Sequence, residues 1–184
     1  MKTLKNTSVV VGRFQTPELH EGHISLLQKA YNESDKDLIV ILAVTKDTPS
    51  LKNPYSPSVR EKTILEASYA RFNVRAFATI KDYDSDHVWS HHLDIIIESL
   101  TNCRNVKIYH SRDSIKGHYF GKYPLVAVKS NSKLSSTEIR DKVINSSVFL
   151  NNKIYREIYL RGLGDGVKHA NKLLAEEYEW IHRI

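Results

Sequence analysis

The sequence predicts an α/β protein: a mostly parallel five-stranded sheet with helices on both faces, followed by C-terminal helices. Three observations point there. Strand-like and helix-like stretches alternate along most of the chain, the pattern of successive crossover units. Leu38 to Val44 is seven apolar residues without a break, as expected of a central parallel strand covered on both sides. The 184 residues are 41% apolar and 26% charged, enough for one sizeable core without disulfides or a structural metal.

The elements follow in order. Ser8 to Val11 is a short β-branched run closed by Gly12, a strand and then a break. Ile24 to Asn32 reads as a helix, with Ile24, Leu27 and Tyr31 on one face. Asp37 to Val44 supplies the second strand. Residues 45–57 hold three of the five prolines and read as a loop. Ser58 to Ala70 predicts a helix, Val74 to Ile80 a strand, Val88 to Leu100 a helix, Val106 to His110 a strand and Leu125 to Lys129 another. Ser135 opens a further helix, with Glu138 completing a capping box. Lys153 to Arg161 and Val167 to Arg183 read as helices separated by Gly162-Leu163-Gly164-Asp165-Gly166. Residues 1–150 thus form a Rossmann-like domain, and 151–184 a helical extension packed on it. In such sheets ligands sit beyond the carboxyl ends of the strands, at the switch point. The residues after Val11, Val44, Ile80, His110 and Lys129 should therefore face one crevice.

Lys and Arg number 27 against 21 Asp and Glu, a net +6. That balance favours nucleotides, phosphorylated metabolites or nucleic acid as partners. No Lys/Arg block is long enough for a nucleic-acid arm, and Glu176-Glu177 weighs against one. The single cysteine, Cys103, allows neither an intrachain disulfide nor a CxxC metal knuckle, and reads as a small buried apolar residue. The longest apolar run falls far short of a membrane span, and the basic start Met1–Asn6 is followed by no apolar stretch. The expectation is a reduced, cytoplasmic protein with neither membrane nor nucleic acid as partner.

The richest loop is Gly12-Arg13-Phe14-Gln15-Thr16-Pro17-Glu18-Leu19-His20-Glu21-Gly22-His23. His20 and His23 stand three residues apart where a helix begins, so they share a face. Helix N-termini present unpaired N–H groups and partial positive charge, which suits phosphate. Gly22 lets a ligand approach the backbone closely, and Arg13 adds a fixed fork of donors. The plainer reading is an ordinary helix start. A zinc pair would need a third ligand that the spacing does not supply.

This HxGH element behind GRFQ resembles the signature of the nucleotidylyltransferase superfamily, the HIGH-motif class. Ser135-Ser136-Thr137-Glu138-Ile139-Arg140 is similar to its ISSTxIR motif, with Leu134 in place of the usual Ile. The GRFQ form resembles nicotinamide-mononucleotide adenylyltransferases of the archaeal type and their phage relatives, over roughly Val9 to Val143. One departure stands out: Thr16-Pro17-Glu18-Leu19 separates Gln15 from His20, two residues more than in the pattern GRFQPFHxGH. The resemblance implies that Gly12, Phe14, Gln15, Gly22, Ser135, Ser136 and Thr137 hold ATP, and that Asn53 and Arg60, in an NPxxxxxR element, line the mononucleotide side. It also places Ser111, Arg112 and Asp113, part of an SRDS stretch, beside the adenosine. The plain alternatives are a capping box, a proline-rich turn with an exposed arginine, and a polar loop.

Asp82-Tyr83-Asp84-Ser85-Asp86-His87-Val88-Trp89 is the acceptor-side candidate. Trp89 at a helix start can stack on a cationic pyridinium, and the resemblance implies the same. Asp82 or Asp84 can accept from a carboxamide and would repel a carboxylate, favouring nicotinamide over nicotinate. The competing reading is a core-facing tryptophan with surface acids.

The implied reaction joins ATP to nicotinamide mononucleotide, giving NAD and pyrophosphate. The nucleophile is already an anionic phosphate oxygen, so alignment and charge stabilisation carry the catalysis. His23, with His20 beside it, would donate to the α-phosphate, and Arg13 and Arg140 would hold the departing groups. A magnesium ion carried mainly by the ATP phosphates is expected, without dedicated protein ligands. Two rivals stay open. One is another nucleotidylyl transfer on this scaffold, with phosphopantetheine, FMN or a cytidylyl acceptor; the other is a non-catalytic nucleotide-binding protein. Leu173, Leu174, Tyr178 and Ile181 form an apolar stripe that either packs on the domain or makes a homo-oligomer contact.

Overall fold

The structure is a computed structural model that describes residues 6–45, 53–69, 71–111, 115–129 and 138. Five strands and three helices alternate within them: β1 (Asn6–Gly12), α1 (Glu21–Asn32), β2 (Leu38–Val44), α2 (Pro57–Ser68), β3 (Val74–Lys81), α3 (Asp86–Leu100), β4 (Asn105–His110) and β5 (Leu125–Ala127). The strands form one sheet in the order β3-β2-β1-β4-β5, and every adjacent pair is parallel. The chain steps outward from β1 to β3, then crosses back to place β4 on β1's other side. The switch point therefore lies between β1 and β4.

Alternating side chains of the central strands supply two cores. Val10, Leu38, Val40, Leu42 and Tyr109 pack with Leu26, Leu27 and Ala30 of α1 and Ile64 of α2. Val9, Ile39, Ile41, Ile80 and Ile108 pack with Leu93 and Ile97 of α3 on the opposite face. This is why β2 reads as a continuous apolar run: Leu38 to Leu42 are all buried, alternately against one helix layer and the other. Each such side chain contributes about 1.5–3 kcal/mol when fully buried.

Helix starts differ from the periodicity by a few residues because caps set them. α1 starts at Glu21 because the His20 carbonyl accepts from the His23 and Ile24 amides at 2.9 and 3.2 Å. The Ser56 hydroxyl caps α2, which has proline in its first turn, and the Ser85 hydroxyl caps α3. α2 stops at Ser68 rather than Ala70; the Ser68 hydroxyl donates to the Leu65 carbonyl at 2.8 Å, and Tyr69 turns to extended ψ. β5 is shorter than Leu125 to Lys129 because β4 offers register partners only for Leu125, Val126 and Ala127.

Segment 115–123 is strapped along α3. Asp86, Ser90, Asp94 and Glu98, at four-residue spacing, share one stripe. Asp86 holds the His118 ring at 2.9 Å, Ser90 accepts from the Phe120 amide at 2.9 Å, and Asp94 accepts from the Lys122 amide at 3.0 Å and from the Tyr119 hydroxyl. Glu98 pairs with Lys122. The Tyr119 ring folds over Gly121, where a Cβ would collide with it.

The helix opened by Ser135, and those expected over 153–161 and 167–183, lie outside the described residues apart from Glu138, which is helical. So does the boundary at residue 150. Among the described residues no helix is long and apolar enough to cross a membrane.

Candidate active site

The carboxyl end of the sheet is built around the exit of β1. The strand ends at Gly12, and the chain turns sharply at Phe14, which adopts a left-handed φ of +47°. That conformation is rare for a bulky residue. It folds the Phe14 ring back over Gly12, where an added Cβ would stand 2.8 Å from the Phe14 Cε2. Gly12 thus makes room for Phe14. The ring packs into the core with Val10, Leu26 and Leu27 and lies 4.9 Å, centroid to centroid, from His23.

His20 is the N-cap of α1, and His23 lies in its first turn. Their rings stack at 3.8 Å with 21° between planes. Gly22 is buried between them in sequence. The helix start, its amides and two imidazoles thereby occupy one place at the mouth of the sheet.

The chain's own groups engage several residues expected to meet substrate. Gln15 is only 3% exposed. Its Nε2 donates to the Tyr55 carbonyl at 3.1 Å while its Oε1 accepts from the Tyr55 amide at 2.9 Å. Arg60, in the first turn of α2, is 1% exposed. Its Nη1 donates to the carbonyls of Arg13 at 2.7 Å and Ala43 at 2.8 Å, and its Nε to the Ser56 carbonyl at 3.4 Å. Its Nη2 is buried without a hydrogen-bond partner among the described residues. Burial, and then the adjacent Arg13 charge, lower the Arg60 pKa to about 10, so it remains a cation at neutral pH. The plain alternative for the NPxxxxxR element, an exposed helix arginine, does not hold: Arg60 is an interior clamp, because a guanidinium that leaves water must find carbonyls. Asn53 is likewise buried.

Arg13 is the outward member of the pair, its side chain 57% exposed, and its Nη2 lies 3.8 Å from the Asp82 carboxylate in the loop after β3. Loops from β1 and β3 thus meet above the end of β2. Asp84 is exposed. Trp89 is half-buried and packs on the core formed by Val9, Ile39 and Ile108, which is the packing that the core-facing reading expects. Tyr83 stacks on His92 nearby in sequence, 4.5 Å between centroids and 8° between planes. Ser111 is half-buried just past β4. Arg112, Asp113, Ser135, Ser136, Thr137 and Arg140 lie outside the described residues.

Two residues near this end of the sheet were not legible in the chain as parts of it. Tyr55 acts through its backbone, which no motif reports. His110 is buried at the carboxyl end of β4, beside the switch point; a lone histidine at a strand end carries no periodic signal. Among the described residues no three His, Cys, Asp or Glu side chains converge as a metal site.

Residues 9–142 match the family described as cytidylyltransferase-like. The chain is 27% identical over 143 residues to a nicotinamide-nucleotide adenylyltransferase from Methanococcus aeolicus, covering 76% of this chain and 78% of that protein. It is 25% identical over 171 residues to a nicotinamide/nicotinic acid mononucleotide adenylyltransferase from Acinetobacter baylyi, covering 82% of this chain and 89% of that one. A crystal structure of a bifunctional NMN adenylyltransferase/ADP ribose pyrophosphatase from Francisella tularensis, complexed with AMP and a manganese ion, superposes with a TM-score of 0.62 at 21% identity. That match covers 94% of this chain and 56% of the Francisella chain, so this chain spans a little over half its length. The likeness is one of fold.

Proposed function

We propose that this chain, which belongs to the cytidylyltransferase-like family, transfers AMP from ATP to nicotinamide mononucleotide, giving NAD and pyrophosphate. The observation that supports the reading is the stacked His20–His23 pair at the start of α1, at the end of the loop that leaves β1 and whose Arg13 carbonyl Arg60 holds. Two curated relatives are named for adenylyl transfer to this class of mononucleotide, which supports the choice of acceptor.

The chemistry asks little of the protein beyond alignment. A phosphate oxygen of the mononucleotide attacks the α-phosphorus in line. The new P–O bond forms as the bond to the α,β-bridging oxygen breaks, and pyrophosphate leaves with that electron pair. No proton must be removed from the nucleophile. His23, supported by His20, donates to the α-phosphate oxygens as charge builds there. Arg13 holds the leaving phosphates, with Arg140 and the hydroxyls of Ser135, Ser136 and Thr137 assigned to the same end. Trp89, Asp82 and Asp84 are assigned to the nicotinamide, Asn53 to shaping the loop around it, and Ser111, Arg112 and Asp113 to the adenosine.

We assign magnesium as the divalent ion, carried mainly by the triphosphate and water. When bound it supplies neutralisation of phosphate charge.

The test is incubation of the purified chain with ATP, magnesium chloride and nicotinamide mononucleotide. NAD and pyrophosphate should appear in equal amounts. Parallel reactions hold nicotinate mononucleotide, phosphopantetheine or FMN as acceptor, or CTP as donor. Pyrophosphate formed only with one of these alternatives, or with none, overturns the assignment.

A further inference from the structure

We propose that Arg60 is a positioning residue for the phosphate end of the site: it sets the Arg13 guanidinium through the Arg13 backbone and itself meets no substrate. The proposal rests on the adenylyl-transfer reading of that site.

The need for such a residue follows from the turn. The register of β1 with β2 ends at Gly12, and Phe14 then takes its left-handed φ. A non-glycine residue held there is strained and persists only where its surroundings over-determine it. The Arg13 carbonyl, between the strand end and this turn, needs a donor from elsewhere. Arg60 supplies it, and with the same Nη1 takes the Ala43 carbonyl of β2. One guanidinium nitrogen therefore ties the exit of β1 to the neighbouring strand. The reciprocal Gln15–Tyr55 pair ties the next residues of the loop to the segment leading into α2. Between these two attachments the backbone of residues 13–15 has little freedom.

Among the described residues the Arg13 side chain has no comparable anchor. Its contact with Asp82 is a 3.8 Å pair between exposed groups, an interaction that solvent screens to little net strength. The direction of Arg13 is thus inherited from its backbone, and its backbone is held by Arg60. Arg60 is 1% exposed, so direct contact with a substrate would require moving the groups that cover it. Its charge still matters at short range. Among the described residues no carboxylate pairs with it, so two neighbouring cations share a corner of the molecule with one partly exposed acid. A polyphosphate is the ligand that such a corner favours.

The experiment is a double-mutant cycle of Arg60→Lys and Arg13→Ala, with kcat, both KM values and the thermal midpoint measured for each enzyme. Lysine keeps the charge but loses the rigid fork. Arg60→Lys should lower kcat about tenfold while the KM for nicotinamide mononucleotide stays within about twofold, and the double variant should be no slower than Arg13→Ala alone. Losses that multiply, or a mononucleotide KM that rises more than kcat falls, overturn the positioning role. Should Arg60→Lys fail to fold, Gln15→Leu in the same cycle loosens the same loop with Arg60 intact, and the same non-additivity is required. A folded wild-type chain that forms no NAD counts against the function instead. The cycle is then read in ATP affinity by calorimetry, where coupled losses sustain the role of Arg60, and independent losses or no ATP binding end it.

Discussion

The His20 and His23 imidazoles stack at 3.8 Å across the first turn of α1, and the Phe14 ring, 4.9 Å away, tilts at 52° against His23. His23 is therefore held by rings from two different parts of the loop. A donor fixed in this way before substrate arrives needs no reorganisation as charge develops on a phosphate. His23→Ala should lower kcat about a hundredfold, with the ATP KM changed by no more than a few fold. His20→Ala, which removes the supporting ring, should cost about a tenth as much in rate by the same reasoning. Steady-state pyrophosphate release measures both; equal losses in turnover and affinity would rule out a role confined to the transition state.

Trp89 is half-buried against the α3-side cluster, and the surface it leaves uncovered is the part assigned to the acceptor under the proposed function. Trp89→Ala should lower the thermal midpoint and raise the nicotinamide mononucleotide KM, leaving that for ATP unchanged. Trp89→Phe keeps an apolar ring and should recover most of the stability while the acceptor KM stays raised. If both variants shift only the melting temperature, the tryptophan is a packing residue alone.

Gly12 has no room for a side chain, because a Cβ would sit 2.8 Å from the Phe14 ring. The ring is buried and cannot swing clear. Gly12→Ala should destabilise the chain by about 1–3 kcal/mol, as overpacking does, and should slow turnover because Phe14 braces His23. Urea unfolding reports the first effect and initial rates the second. An alanine variant as stable and as fast as wild type would show that the loop relaxes freely.

Alkaline pH should loosen the strap on α3. Burial first, and then its hydrogen bond to Asp94, raise the Tyr119 pKa well above the usual tyrosine range. In the unfolded chain Tyr119 ionises near pH ~10, while in the folded chain it stays protonated beyond that. Its contribution to stability is complete below the unfolded value and is lost as pH rises from there toward the folded one. Urea midpoints measured from pH 8 to 11 should fall above pH 10, and less steeply for Tyr119→Phe. Parallel pH profiles for the two proteins would remove Tyr119 as the cause.

Much of the fold was legible because it is written in local periodicity. The unbroken Leu38–Val44 run announces a strand buried on both faces, and the β–α alternation implies parallel crossovers whatever the details of packing. The exceptions are ends. Ser56, Ser68 and Ser85 moved helix limits by hydrogen bonds that hydrophobic spacing does not encode. At the candidate site, the histidine pair was the relation legible in the chain. Three-residue spacing on a helix start places His20 and His23 together by geometry alone.

Sequence by itself determined the strand and helix order, the double-faced burial of β2 and the pairing of the two histidines, since each depends on residues within a turn or two of one another. Tertiary structure alone decided what the two arginines became. Arg13 and Arg60 are chemically identical in the chain, yet one reaches outward toward Asp82 and the other is sealed against the carbonyls of Arg13 and Ala43. Which guanidinium is buried depends on where three separate segments leave their unmet acceptors, and that is set only when β1, β2 and α2 have come together.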